Sequence, residues 1–182
     1  AFGDRYARGK LRDLPSDDSA ADMYLATQDI CAAIGLPSYE ISNHARAGAE
    51  SRHNLIYWRY GDYVGIGPGA HGRLTLNGQR YATETPRAPG AWLDAVKAGN
   101  GTLPFDLLSP EDQVAEHMMM GMRLYEGLDL DRHTQLSGVA LDQDRLSHLI
   151  SLGMVTLDGS RLHATSDGRA VLNAVLRDLL MD

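Results

Sequence analysis

Gly65-Ile66-Gly67-Pro68-Gly69-Ala70-His71-Gly72 is the stretch that decides the fold class, because residues 67–72 read formally as G-x-G-x-x-G. A dinucleotide fold requires those glycines to open a helix whose first N–H groups face a pyrophosphate. Here the run leads instead into residues 73–76 and 79–83, which flank Asn77-Gly78, the pair favoured by a type I′ hairpin turn. No Gly-Lys-Ser/Thr follows, so a P-loop is excluded as well. What remains is a tight loop at a strand end, with Tyr63-Val64-Gly65-Ile66 expected as a buried strand before it. Gly65, Gly67 and Gly69 permit close backbone approach or positive φ, so a cofactor-facing loop and a plain structural turn both fit.

Upstream, Pro15 is followed by Ser16-Asp17-Asp18-Ser19, which supplies N-cap oxygens and first-turn acids, and Met23, Ile30 and Ile34 then recur at roughly helical spacing. Gly35 and Pro37 end that helix. Tyr39-Glu40-Ile41-Ser42-Asn43 alternates in polarity and predicts a short strand, with Tyr39 and Ile41 on one face and Glu40 and Ser42 on the other. Helix followed by strand is one αβ unit. Downstream, Pro86, Pro89 and Pro104 punctuate a helix expected over 91–98 and place a domain boundary near residue 105.

Beyond it the pattern turns helical. Ser109 and Pro110-Glu111-Asp112-Gln113 start a helix with Val114, His117, Gly121 and Leu124 on one stripe and Met118, Met122 and Tyr125 beside it. A second helix is expected over 141–152, then a strand, the turn Asp158-Gly159-Ser160 and a strand ending at Ala164, and a last helix over 167–180. Helices followed by a hairpin and a terminal helix suggest a winged-helix-like module. The methionine group around His117 invites a metal reading. Core packing is the simpler one, since thioethers fill irregular gaps and consecutive residues point around a helix. Glu40 and Glu84 form no visible acid and base pair.

The chain has 182 residues, 43% of them hydrophobic and 23% charged, enough for one domain or two small ones with real cores. No apolar run approaches the roughly 20 residues of a membrane helix, and the first residues lack a signal peptide's basic and apolar segments, so a cytoplasmic location is expected. The opening Ala1-Phe2-Gly3-Asp4 has neither a methionine nor a turn-and-cap beginning, which predicts a piece of a longer chain. The single cysteine, Cys31, cannot supply a four-cysteine metal or cluster site. Residues 1–104 carry 11 acidic and 11 basic side chains, whereas residues 105–182 carry 13 acidic and 6 basic, which is the whole net charge of −7. That excess would repel phosphate, so nucleic acid is not expected as a partner of the winged-helix-like part.

Three blocks in order, Tyr39-Glu40-Ile41-Ser42-Asn43, His53-Asn54-Leu55-Ile56-Tyr57-Trp58 and residues 61–72, make the sequence resemble the oxygen-independent coproporphyrinogen III oxidase-like family. The second block fits the HNxxYW pattern of that family's HemW branch of haem chaperones. The resemblance implies an α/β fold. Residues 1–104 would be the last elements of a partial (β/α) radical SAM barrel and its extension, and residues 105–182 the family's winged-helix-like C-terminal domain. It implies haem or porphyrin as ligand, haem-recipient proteins as partners, and a [4Fe–4S] cluster with S-adenosylmethionine held by a CxxxCxxC motif that this sequence lacks. Haem delivery is the leading implied function. Oxidative decarboxylation of coproporphyrinogen III and a non-catalytic interaction module are the alternatives.

Within that frame His53 is the candidate axial ligand of haem iron, with Asn54, Tyr57 and Trp58 as haem-binding candidates. A hydrogen-bonded histidine at a turn beside two core aromatics is the bland alternative. Glu40, Ser42, Asn43, Gly65, Gly67, Gly69 and His71 are candidates for lining the cofactor site, and the glycine loop would lie towards the barrel mouth.

Overall fold

The computed structural model describes residues 2–9 and 14–180. Ala1, part of the opening discussed above, lies outside the described residues. The first half holds α1 (Phe2–Ala7), α2 (Asp17–Ala33), α3 (Arg52–Trp58), the hairpin β1 (His71–Leu76) and β2 (Gln79–Glu84), α4 (Pro89–Lys97) and the short β3 (Asp106–Leu107). The second half holds α5 (Pro110–Gly121), β4 (Leu128–Asp129), α6 (Leu130–Ser137), α7 (Gln143–Ser151), β5 (Val155–Asp158), β6 (Arg161–Ala164), α8 (Ser166–Ala170) and α9 (Leu172–Leu180).

α2 starts where the capping residues place it, with the Ser16 hydroxyl accepting from the Ser19 N–H. None of its residues is buried, and Met23, Ile30 and Ile34 are each more than 60% exposed, so its apolar stripe meets no partner among the described residues. The hairpin pairs Leu76 with Gln79, and Asn77 and Gly78 at its tip have φ of 52° and 78°, as a type I′ turn requires. β3 adds to β2 through Tyr81 and Leu107, giving a three-stranded antiparallel sheet ordered β1-β2-β3.

Two expected strands are absent, for local reasons. Tyr39-Glu40-Ile41-Ser42-Asn43 is a bend closed by isolated bridges, Ser38 to His44 and Glu40 to Leu124. The Glu40 carboxylate accepts from the Ser42 N–H and hydroxyl and from the Asn43 side-chain amide, which curls the backbone around it. Tyr63-Val64-Gly65-Ile66 makes one bridge, Tyr63 to Arg73, and then turns away, leaving Val64 66% and Ile66 86% exposed. A Cβ at Gly65 would lie 2.3 Å from the His71 carbonyl oxygen, so the chain folds back tightly there instead of extending.

The second half follows a winged-helix order: three helices with a short strand between the first two, then a hairpin. Its sheet runs β4-β6-β5, with Leu128 opposite Leu162 and Val155 opposite Ala164. α5 begins with the Ser109 hydroxyl accepting from the Asp112 N–H and Pro110 in its first turn. The buried cluster that includes Met118, Met122, Leu128, Leu162, Val175 and Leu176 lies within residues 118–179, and Ile41 from the first half packs against it. At about 1.5–3 kcal/mol for each fully buried large apolar side chain, this module carries most of the hydrophobic stabilisation. β4 and α6 have no counterpart in the sequence reading, and the expected terminal helix is two, broken at Val171 with φ −119° and ψ 27°.

Polar contacts join the halves. Arg73 is paired with Glu116, Arg59 with Glu126, and the Arg132 guanidinium donates to the carbonyls of Arg59 and Tyr60. Arg169, 6% exposed, lies 3.5 Å from the Tyr125 ring centre and donates to the Arg123 and Leu124 carbonyls. Tyr125 N–H donates to Tyr39 O, which ties the bend around Glu40 to the end of α5.

Candidate functional site

α3 forms where Ser51 can cap it, its hydroxyl accepting from the Asn54 N–H. The helix ends at Tyr60, whose φ of 54° is uncommon for a residue with a side chain. Packing holds that conformation: the Tyr60 ring is buried, with the Arg80 guanidinium 3.8 Å from its centre and the His117 ring edge-on at 5.7 Å. Burial pushes the Tyr60 phenol up to about 12, so it stays neutral.

His53 and Tyr57 are four residues apart and therefore share a face of α3. The Tyr57 hydroxyl is 2.7 Å from His53 Nε2, the two rings meet edge to face at 4.7 Å, and Tyr57 meets Tyr63 edge to face at 4.4 Å. The His53 side chain is exposed, so this is an accessible imidazole braced by the Tyr57 ring, with Tyr63 behind that ring and the exposed Val64 and Ile66 next in sequence. Trp58 points elsewhere. It lines a cleft towards α5, and its indole nitrogen is buried without a hydrogen-bond partner. Asn54 donates to the Tyr39 hydroxyl rather than towards the His53 ring.

The other candidates occupy separate places. Glu40, 1% exposed, is consumed by Ser42 and Asn43 and acts as the hub of its bend. The glycine loop turns through Gly67 at φ 107° and Gly69 at φ 69°, and Thr85 pins it by donating to Gly67 O and accepting from the Ala70 N–H. Gly69 N–H donates to Pro86 O, so two of the loop's N–H groups are already used by the protein. His71 Nδ1 lies 3.3 Å from Glu84, and His44 Nδ1 is 3.1 Å from the Ser38 hydroxyl. Among the described residues no hydrogen bond or ring contact joins His53 to either of them. Nor do any three or more His, Cys, Asp or Glu side chains among those residues form a metal-ligating group.

The cleft that Trp58 lines was not legible in sequence, since its walls come from four separate segments. It measures about 460 Å³ and is bounded by Trp58 and Arg59 from the end of α3, His117 of α5, Asp129 and Arg132 around the start of α6, and Arg161 of β6. Arg59 is held by Glu126 through bonds of 2.7 and 2.6 Å. Asp129 caps α6, accepting from the Arg132 N–H, which with the nearby Arg161 holds its carboxyl below the usual range. His117 is 4% exposed and stacks on His133 at 5.9 Å, with Nδ1 of both rings unpartnered. Burial, and then the charge of Arg132, push His117 down to about 4. Met118 and Met122 beside it are core residues, at 1% and 0% exposure, whereas Met119 of the same group is exposed.

Residues 108–171 match the family model of the HemN C-terminal domain. The chain is 34% identical over 184 residues to "Heme chaperone HemW" of Lactococcus lactis, covering 100% of this chain and 47% of that one. It is 34% identical over 177 residues to mouse "Radical S-adenosyl methionine domain-containing protein 1, mitochondrial", covering 91% and 40%, and 30% identical to HemW of Escherichia coli, covering 93% and 44%. The chain thus spans less than half the length of these relatives. In structure it resembles coproporphyrinogen III oxidase (HemN) of Escherichia coli, a radical SAM enzyme, with a TM-score of 0.66 over 96% of this chain and 44% of that one. At 18% identity that likeness shows the fold alone. No helix among the described residues is long and apolar enough to cross a membrane.

Proposed function

The chain belongs to the family that contains the HemW and HemN radical SAM proteins, and from that premise we propose that it binds haem on the exposed face of α3 and serves in its delivery to haem-requiring proteins. The observation that carries this reading is the imidazole of His53, exposed to solvent and braced by Tyr57, which in turn packs on Tyr63. A bound haem would supply an iron centre for which a neutral imidazole is a common ligand. What this chain contributes is position: the Tyr57 hydroxyl fixes the ring orientation of His53 through Nε2, and must yield that nitrogen, or leave Nδ1 free, for ligation. Tyr57 and Tyr63 offer aromatic surface beside it, and Val64 and Ile66 exposed apolar surface next in the chain. Trp58 stands apart from this face and belongs to the cleft.

In this reading residues 1–104 are the barrel-derived part and residues 105–182 the family's C-terminal domain, with a cytoplasmic site of action. The [4Fe–4S] cluster and S-adenosylmethionine belong to the radical SAM part of the full-length relatives, since this sequence has one cysteine. Nucleic acid is not the ligand of the winged-helix module. Arg145, the arginine of α7, donates to Asp178 O and lies beside Asp142, whose carboxylate offsets its charge towards phosphate.

Haem titration followed by the Soret band tests the assignment, using the wild-type chain and His53→Ala, His44→Ala and His71→Ala. The expected result is loss of the band in His53→Ala alone. Loss in His71→Ala alone would move the site to the glycine loop, and unchanged spectra in all three would remove histidine ligation.

A further inference from the structure

We infer that the cleft between the end of α3 and the winged-helix module is a carboxylate-binding site, read by the guanidinium groups of Arg132 and Arg161 and the indole N–H of Trp58. The charge balance is the first reason. Three arginines, Arg59, Arg132 and Arg161, line the cleft against two acids, Glu126 and Asp129. Arg59 is paired with Glu126 through two bonds, and Arg161 faces Asp129 at 3.3 Å. Among the described residues Arg132 has no carboxylate partner: it donates two of its five N–H groups, both to backbone carbonyls. One guanidinium charge is left uncompensated.

The second reason is independent of charge. Trp58 and His117 both line the cleft, and the donor-only Nε1 of one and the Nδ1 of the other are buried without a hydrogen-bond partner. Leaving such groups unmet costs about 1–3 kcal/mol each. At about 460 Å³ the space far exceeds that of a single bridging water. A planar carboxylate matches the arginine fork, and it meets the indole donor once the Trp58 ring turns that buried N–H towards the cleft. A dianion such as phosphate suits the site less, because Glu126 and Asp129 flank it and only one positive charge is free.

Burial is the main reason for the low proton affinity of His117, and the charge of Arg132 is the next. Glycine makes the wall possible: a Cβ at Gly121 would lie 2.7 Å from Leu128 Cδ1, and one at Gly127 2.6 Å from Leu162 O. The first lets the strand that carries Asp129 approach α5 closely, and the second lets the chain entering that strand lie close against β6. The site does not rest on the haem assignment, since Trp58 and His53 are five residues apart and leave α3 on different faces.

Fluorescence of Trp58 tests this in a Trp92→Phe background, where it is the sole tryptophan. Titration with succinate at constant ionic strength is expected to give a saturable change that sodium chloride does not give. Arg161→Met, a substitution at a half-exposed side chain, is expected to weaken binding about tenfold or more, and His53→Ala to leave it unchanged. Mesoporphyrin and its dimethyl ester then identify the source. Displacement of succinate by the free acid and not the ester supports a tetrapyrrole propionate as the occupant; displacement by neither supports a small free carboxylate. Absence of a saturable succinate response, or a response retained in full by Arg161→Met, overturns the inference.

Discussion

Lowering the pH from about 7.5 to about 5 should cost the folded chain roughly 2 kcal/mol through His117 alone. The imidazole is 4% exposed, faces Arg132 and Arg161 as well as Asp129, and stacks on His133, and its proton affinity falls from 6.5 to about 4. A base with a lowered value binds fewer protons folded than unfolded. Its contribution is therefore complete above the unfolded value and is lost as the pH falls towards the folded one. The full separation corresponds to roughly 3 kcal/mol, of which about two thirds is spent by pH 5. His133, lowered by burial, acts in the same direction. Asp62, Glu126 and Asp129 are also lowered, but carboxylates of that kind lose their contribution in a more acidic window. Urea unfolding across this range measures the effect, and His117→Gln should flatten the pH dependence even where it lowers stability overall. Identical slopes for wild type and His117→Gln would refute the reasoning.

Glu40→Gln should lower unfolding stability by about 1–3 kcal/mol in urea, because the three donors from Ser42 and Asn43 all converge on one buried carboxylate oxygen, and a neutral amide oxygen accepts them more weakly; an unchanged midpoint would show that the bend needs no charge. Mobility-shift titration of the whole chain with duplex DNA at low salt should show no complex, given 13 acids against 6 bases in residues 105–182, and micromolar binding that weakens steeply with salt would contradict this. Reconstitution with iron and sulfide should leave no stoichiometric cluster absorbance, and one that disappears in Cys31→Ala would be the contrary result.

Local chemistry made much of the fold legible. Ser16, Ser109 and Asn77-Gly78 mark their helices and turn within a few residues, because caps and turn dihedrals act over short range. The pattern misled where side chains bond back to their own backbone: Glu40 to Asn43 alternate like a strand, yet the carboxylate curls the chain. α6 was missed because Leu130-Asp131-Arg132-His133 is mostly polar and is helical under an Asp129 cap and against α5. Of the candidate site, the pairing of His53 with Tyr57 follows from helical spacing. The separation of Trp58 from them follows from the same spacing, but the cleft it faces depends on Arg132 and Arg161, more than seventy residues away, and no local pattern encodes that meeting.

The most direct test of the haem assignment is magnetic circular dichroism of the chain loaded with one equivalent of ferric haem. An imidazole-ligated signature that disappears in His53→Ala and returns when free imidazole is added is the predicted result. The same signature in wild type and His53→Ala, or none in either, would contradict it.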